Sequence, residues 1–312
     1  MIRPGIYLWF VALAMIPALP SAEQSQSCPI NIDFSNGTLI HWEAYTGNNM
    51  GGNGPNAIKV LYDSNALTPS GTIGATVLPE YNLPGVNGIR VVTSQGIDPF
   101  GGFQIIPTIN GYAYHYSILL GSTAVSGRQT NGPPDDPNGQ PSTPVNGPQG
   151  GYVRGISYLI NVPAGPSTVP YTMTYAYAMV LENGTHASEE QPMARAIVST
   201  PAGVIDCASP AYFLPTNGGL DSATARANGF SPSPVPTPNE SRNQQSPGQH
   251  LQDVWTKGWT EVTFDLSPYR GQQVSLTFEA DNCVPGGHFA YAYFALRDIC
   301  AGLQISGDTL SC

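Results

Sequence analysis

The sequence predicts an all-β protein: an antiparallel β-sandwich of jelly-roll topology with two long irregular loops. Composition is the first observation, since only 10% of residues are charged while Gly totals 35 and Pro 30, a balance that suits turn-rich sheets and not helices. The second is the closing stretch, residues 259–300. There Val262, Phe264 and Leu266 alternate with Thr263 and Asp265, Val274, Leu276 and Phe278 with Ser275, Thr277 and Glu279, and Phe289, Tyr291 and Tyr293 with Ala290 and Ala292. Period-2 patterning of this kind marks strands with one face on a core. The third is the punctuation between those runs, Ser267-Pro268, Arg270-Gly271 and Pro285-Gly286-Gly287, residues that supply the fixed or positive φ of tight turns.

The remaining elements follow in chain order. Residues 28–42 (CPINIDFSNGTLIHW) read as a first strand, a turn at Asn36-Gly37 and a second short strand, and residues 47–56 as a Gly/Asn loop. Strand-like runs follow at 89–94 and 113–120. Residues 121–150, with Asn131-Gly132-Pro133-Pro134, lack periodicity and read as a long exposed loop. Residues 156–162, 171–181 and 194–199 read as strands. A second low-complexity loop runs from 217 to about 252, through Ser231-Pro232-Ser233-Pro234 and Asn243-Gln244-Gln245. No internal repeat is visible, nor a helix longer than two turns. Strands so widely separated close by Greek-key connections and not simple hairpins.

The first 22 residues read as an export signal: Arg3 in a short n-region, an apolar run over 6–19, and Pro20-Ser21-Ala22 before Glu23. The expected mature chain is secreted, with no membrane insertion, and its net charge becomes about −11 once Arg3 is removed, ten basic residues against 21 acidic. That surface disfavours nucleic acid and suits divalent cations. Five cysteines, Cys28, Cys207, Cys283, Cys300 and Cys312, imply disulfides in an oxidising compartment. No CxxC pair exists among them, which speaks against zinc. Sandwich termini often lie side by side, so the preferred pairing is Cys28–Cys300 with Cys207–Cys283. Cys283–Cys300 is the rival, and Cys312 is left over.

Three segments, IDFSNGTLIHWEAYTGN, YTMTYAYAMVLENGTHASEEQPMARAIV…VIDC and DLSPYRGQQVSLTFEADNCVPGGHFAYAYF, carry a resemblance. Together they resemble the N-terminal jelly-roll (galactose-binding-like) module of secreted, multidomain surface proteins of the Bacteroidetes, across residues 28–302. The signatures H-x-x-EEQP and C-x-x-GGHFxYAY are the specific part. In that family the module precedes PKD or Ig-like repeats and a gliding-associated C-terminal domain. The resemblance therefore implies further domains in the same chain, with residues 303–312 opening the next repeat. It implies adhesion or carbohydrate recognition at a cell surface, with an extracellular glycan or surface polymer as partner.

Several residues are candidates for chemistry. Jelly-roll carbohydrate-binding modules hold a structural Ca²⁺ where the first strand meets the last, and Asp33 and Asp298 would supply its oxygens; Ala295, where the family pattern has an acidic residue, departs from that expectation. His186, His288 and Glu189, with Glu190, would form a transition-metal site if their loops meet; otherwise each His locks its own turn. Sugar rings stack on exposed aromatics, and Trp255, Tyr212, Tyr152 and Tyr45 are the candidates. Trp42, Trp259, Tyr175, Tyr177, Phe278 and Tyr291 are assigned to the core. Neither GxSxG nor HExxH appears, so a non-catalytic module is expected. A structural spacer or cap is the alternative. A polysaccharide-active hydrolase built on Asp281 and the Glu189-Glu190 pair is the third reading.

Overall fold

The computed structural model describes residues 28–51, 59–63, 88–123, 151–184, 187–216, 219–234, 254–284, 288–300 and 309–311. The expected export signal, the heart of the 121–150 loop and residues 235–253 lie outside them. In chain order the strands are β1 (Trp42–Gly51), β2 (Lys59–Asp63), β3 (Ile89–Val92), β4 (Thr108–Ile109), β5 (Tyr112–Ala113), β6 (Ser117–Gly121), β7 (Gly151–Asn161) and β8 (Thr172–Glu182). They continue as β9 (Met193–Thr200), β10 (Gly203–Val204), β11 (Ala211–Phe213), β12 (Phe230–Pro232), β13 (Val254–Asp265), β14 (Gln273–Asp281), β15 (Ala290–Leu296) and β16 (Thr309–Ser311), with one short helix, α1 (Ser222–Ala227).

These strands form an antiparallel β-sandwich. Sheet 1 has the order β10-β9-β14-β7-β1-β2 with β11 beside β9; sheet 2 has the order β12-β13-β8-β15-β6-β3, with β16 added in parallel along β13. The long strands β1, β6, β7, β8, β9, β13, β14 and β15 alternate between the two sheets, so each connection crosses the sandwich, as jelly-roll topology requires. The inner faces meet in one core. Phe278 of sheet 1 stacks on Phe294 of sheet 2 at 4.3 Å between centroids, and Trp42 packs between Phe34, Tyr158 and Phe278. Val262, Phe264, Leu266, Val274, Leu276 and Phe278 all lie in this core, as their alternation predicts.

The alternation in β15 has a different meaning from the one its pattern suggests. Ala290, Ala292, Phe294 and Leu296 face the main core, while Phe289, Tyr291, Tyr293 and Ala295 face outward into a second apolar layer. That layer exists because residues 94–116 fold back over the outer face of sheet 2. Phe103 packs on Tyr293 at 5.8 Å, and Phe100 on Phe289 at 6.3 Å. Asp98 accepts hydrogen bonds from Tyr291 (2.8 Å), Tyr293 (2.9 Å) and the Phe100 amide (3.0 Å). The flap carries the β4–β5 hairpin, turned by Asn110-Gly111 with φ of 51° and 80°, the two positive values that a type I′ turn demands. Beneath that hairpin Glu261 is held by Arg297 (Nε at 2.9 Å), Tyr114 and Asn110. Trp259, assigned to the core from sequence, is part-exposed at the edge of this layer, its Nε1 donating to the Gln104 carbonyl at 2.6 Å.

Three expectations are corrected. Residues 28–41 form turns and no strand. Asn31, at φ 57°, donates from Nδ2 to the carbonyls of Thr38 and Ile40 and accepts the Asn36 amide; this side chain gives the backbone an alternative to a ladder. The Gly/Asn loop expected from residue 47 begins later, because β1 continues through Gly51, with Gly47 opposite Val153 and Asn49 opposite Gly151. The second loop holds α1 and β12, α1 being capped by the Asp221 carboxylate on the Thr224 amide at 3.0 Å.

Cys28 and Cys300 are joined, their Cα atoms 5.1 Å apart. Cys207 and Cys283 are not. Cys207 is an exposed thiol in the turn Asp206–Ala208, which Ser209 ties to Val198, and Cys283 is a buried thiol past the end of β14, where Asp281 opposes Met193. About 17 Å of β9 lies between those levels, against the roughly 7 Å that a disulfide spans between Cα atoms.

Candidate functional site

Among the described residues, no segment covers the middle of the outer face of sheet 1, as the 94–116 flap covers that of sheet 2. Along β14 the inward Val274, Leu276, Phe278 and Ala280 alternate with outward Ser275, Thr277, Glu279 and Asp281. Their register neighbours on the same face are Ser157 and Leu159 of β7 and Arg195, Ile197 and Ser199 of β9. The Ser157 hydroxyl lies 3.3 Å from that of Ser275 and 3.1 Å from that of Thr277, and Leu159 is 54% exposed. The result is a strip of hydroxyls flanked by two apolar residues, Leu159 and the part-exposed Ile197.

At the end of the strip, where β14 passes into burial, lies Glu279, 1% exposed. Its Oε2 accepts from the Tyr45 hydroxyl at 2.6 Å, and its Oε1 accepts from Arg195 Nε at 2.6 Å and from Arg195 Nη2. The tip of the part-exposed Tyr45 ring lies over the Gly155 backbone, and a Cβ at residue 155 would collide with that ring. Only glycine at 155 lets the ring lie so low. One step deeper, Asp281 is fully buried, and neither carboxylate oxygen receives a hydrogen bond. Its polar neighbour is the Glu279 carboxylate. Burial first, and that negative charge second, push the Asp281 carboxyl well above its ordinary range, with Arg195 opposing. The protonated form of Asp281, which this environment favours, could donate to Glu279, which two carboxylates could not do for one another.

A second constellation lies where the two sequence signatures meet. The Val284 amide donates to the Glu190 carbonyl at 3.0 Å, so the turn Ser188–Glu190 docks on the β14–β15 connection. Around that contact Gln191, Asn183, Glu182 and Asn282 are buried, and each anchors backbone or its neighbour: Gln191 Oε1 accepts the Gly184 amide, Gln191 Nε2 donates to Asn183, Glu182 accepts the Phe289 amide, and Asn282 accepts the Ala290 amide. His288 sits at this junction beside Cys283. His186 lies outside the described residues, and of Glu189 only the backbone, within that turn, is described.

The two calcium candidates converge on one phenol. Asp298, exposed, accepts the Tyr112 hydroxyl at 2.6 Å, and Asp33, in the turns before β1, lies close enough to act on the same group. Burial, then these carboxylates, push Tyr112 up to about 12. Two carboxylates and nearby carbonyls could contribute to the six to eight oxygens of a Ca²⁺ site. No group of three or more His, Cys, Asp or Glu gathers among the described residues.

The aromatic candidates separate. Trp255 is 1% exposed, its ring beneath Arg226 of α1; the loop expected around it is instead β13 covered by that helix. Tyr152 is buried under Arg154. Tyr212 is part-buried on β11 opposite the inward Ala194, donor-linked to Tyr177 and beneath Lys257. Of the four, Tyr45 alone reaches the open face. Glu279 and Arg195 were not singled out from sequence, although the polar positions of β14 at Ser275, Thr277 and Glu279 signalled the face.

No protein-family model matches the chain, and no curated protein matches it. Among solved structures it is similar to TmCBM61, determined in complex with β-1,4-galactotriose, at 10% identity and a TM-score of 0.31 over 88% of this chain and 99% of that one. It is similar also to the exo-1,3/1,4-β-glucanase from a Pseudoalteromonas species, at 8% identity and 0.29 over 96% and 23%. The enzymatically active domain of tailspike protein 4 of bacteriophage CBA120 follows at 9% and 0.28 over 87% and 21%. Likenesses of this size carry no argument about ligand or activity. Among the described residues no helix is long and apolar enough to cross a membrane.

Proposed function

We propose that this chain is a secreted, non-catalytic module that recognises glycan on the open face of sheet 1. The observation that carries the reading is the Tyr45–Glu279–Arg195 cluster on a strip of serine and threonine hydroxyls. A pyranose presents an apolar C–H face and a rim of hydroxyls. The part-exposed Tyr45 ring, held by the buried Glu279, answers the first, and the part-exposed Arg195 with the serine and threonine hydroxyls answers the second. Because Glu279 and Arg195 neutralise one another, this cluster offers little net charge, which favours neutral sugars over uronic or sulfated ones. Asp281 is sealed from any substrate, and it lies against Glu279, not across a cleft from it; this supports binding over hydrolysis. A weak single site serves adhesion through avidity when several modules share one polymer.

A glycan array of the full chain, run with Ca²⁺ and again with EDTA, tests this. A discrete set of neutral glycans, lost in a folded Tyr45→Ala variant, is the expected outcome. Loss of the same signals in EDTA would add a functional cation near Asp33 and Asp298. Silence under both conditions from folded protein would overturn the reading in favour of a structural spacer.

A further inference from the structure

The groups on the open face of sheet 1 are ordered in rows, and the rows run across the strands. We propose that the face holds an internal stretch of an extended neutral glycan laid across β1, β7, β14 and β9, with the Glu43 carboxylate engaging the sugar at the β1 end; this rests on the glycan reading above. Register places the groups. Tyr45 stands opposite Gly155, Gly155 opposite Glu279, and Glu279 opposite Arg195. The Tyr45 ring passes over the Gly155 backbone and its hydroxyl reaches Glu279, so the long axis of the ring lies along this row. Arg195 reaches Glu279 from the other side. The next row is Glu43, Ser157, Thr277 and Ile197, one residue from each of the same four strands. The two rows lie about 7 Å apart, two residues along a strand.

Three observations set the direction and length of the bound chain. The first is what bounds the face along the strands. Past Glu279 the outward positions Asp281, Val153 and Met193 are all buried, so a glycan running along β14 would enter only by its end. The second is that the row of Ser157 and Thr277 is open at both ends among the described residues. β2 pairs with β1 from Thr46 onwards and leaves the Glu43 level of β1 as an edge. At the other end β11 pairs with residues 193–195 of β9 and β10 with residues 199–200, and between them the chain turns into the core at Ala208. No described strand pairs with Ile197. The third is width: four strands span about 14 Å, room for about three pyranose rings of an extended chain. Glu43 is exposed, and its carboxylate takes no hydrogen bond among the described residues. Its two oxygens can accept two neighbouring sugar hydroxyls, and its charge repels uronic and sulfated chains.

Calorimetric titration of the full chain with β-1,4-linked gluco-, manno- and galacto-oligosaccharides of one to six rings tests this, each used free and with both chain ends blocked by O-methylation. In the responding series, affinity should rise at least about tenfold from one ring to three, change by less than about twofold from three to six, and survive blocking. Glu43→Gln should weaken the three-ring ligand about threefold or more and leave a single ring unchanged. Thr277→Arg, in the middle of the row, should abolish binding, whereas Gln273→Arg, further along the same strand, should not. Glu43 is exposed, so its variant keeps the test decisive even if Thr277→Arg fails to fold. Binding at full strength by a single ring, loss on blocking the ends, or a Glu43→Gln variant indistinguishable from wild type overturns this arrangement while the glycan reading stands. Silence from every oligosaccharide also overturns it, and silence from the glycan array as well overturns the reading beneath it.

Discussion

The outer faces of the two sheets offer a controlled comparison, because both are made of strands with an equally apolar inner side. On sheet 2 the outward residues are Phe289, Tyr291, Tyr293 and Ala295, and a flap covers them. On sheet 1 they are Ser275, Thr277, Glu279 and Asp281 on β14, and the mid-sheet stays open. Each face contains a carboxylate that gathers tyrosine hydroxyls, Asp98 under the flap and Glu279 in the open strip. Asp98 closes a layer, whereas Glu279, itself buried, anchors the part-exposed Tyr45 and Arg195 side chains at a surface. Both carboxylates are buried; what differs is that the groups gathered by Glu279 reach solvent and those gathered by Asp98 do not.

The sharpest way to break this contrast is Asp98→Ala. It orphans two buried phenols and the amides that cap the flap, and costs about 3–5 kcal/mol in denaturant unfolding; glycan binding should survive at low temperature. Asp281→Asn on the other face has a smaller effect, on the order of 1 kcal/mol, with a pH signature. The folded carboxyl titrates above its unfolded value of about 3.9, so its contribution is fully present below that value and is lost as pH rises towards the folded pKa. Wild-type stability should decline over that window. The Asn variant should lack the decline and be the more stable protein at neutral pH. Smallest is Tyr45→Phe, which removes one exposed-side hydrogen bond at a cost of about 0.5–1 kcal/mol and should change melting little. A large loss there would show that the open face is structural after all.

The sandwich was legible because stretches of β13, β14 and β15 carry period-2 alternation. Alternation does not say which face is inside, however. In β15 both sets of residues are buried, the large aromatics outward and Ala290, Ala292 and Phe294 inward, and only the flap decides that arrangement. Residues 28–41 misled for a related reason: Ile30, Ile32 and Phe34 alternate like a strand, but the Asn31 side chain captures the backbone, a contact that no hydropathy pattern encodes. The Asn110-Gly111 hairpin could have been read, since that dipeptide is the strongest short-range hairpin signal. The glycan site was half visible. Tyr45 was among the candidates, while Trp255 was lost to burial because α1 formed inside an apparent loop. Glu279 and Arg195 become partners through a register between β9 and β14 that local pattern does not specify.

Under tension the bond between Cys28 and Cys300 has a further consequence. It closes a covalent ring across a sequence separation of 272 residues, so a pull transmitted through those two cysteines runs along one sulfur–sulfur bond and bypasses both sheets. A force-spectroscopy trace would register no lengthening from the ringed segment until that bond is reduced. Neither the strip beside Glu279 nor the core between the sheets would then be deformed by load, and a module anchored through these ends would keep its grip geometry while the material around it stretches.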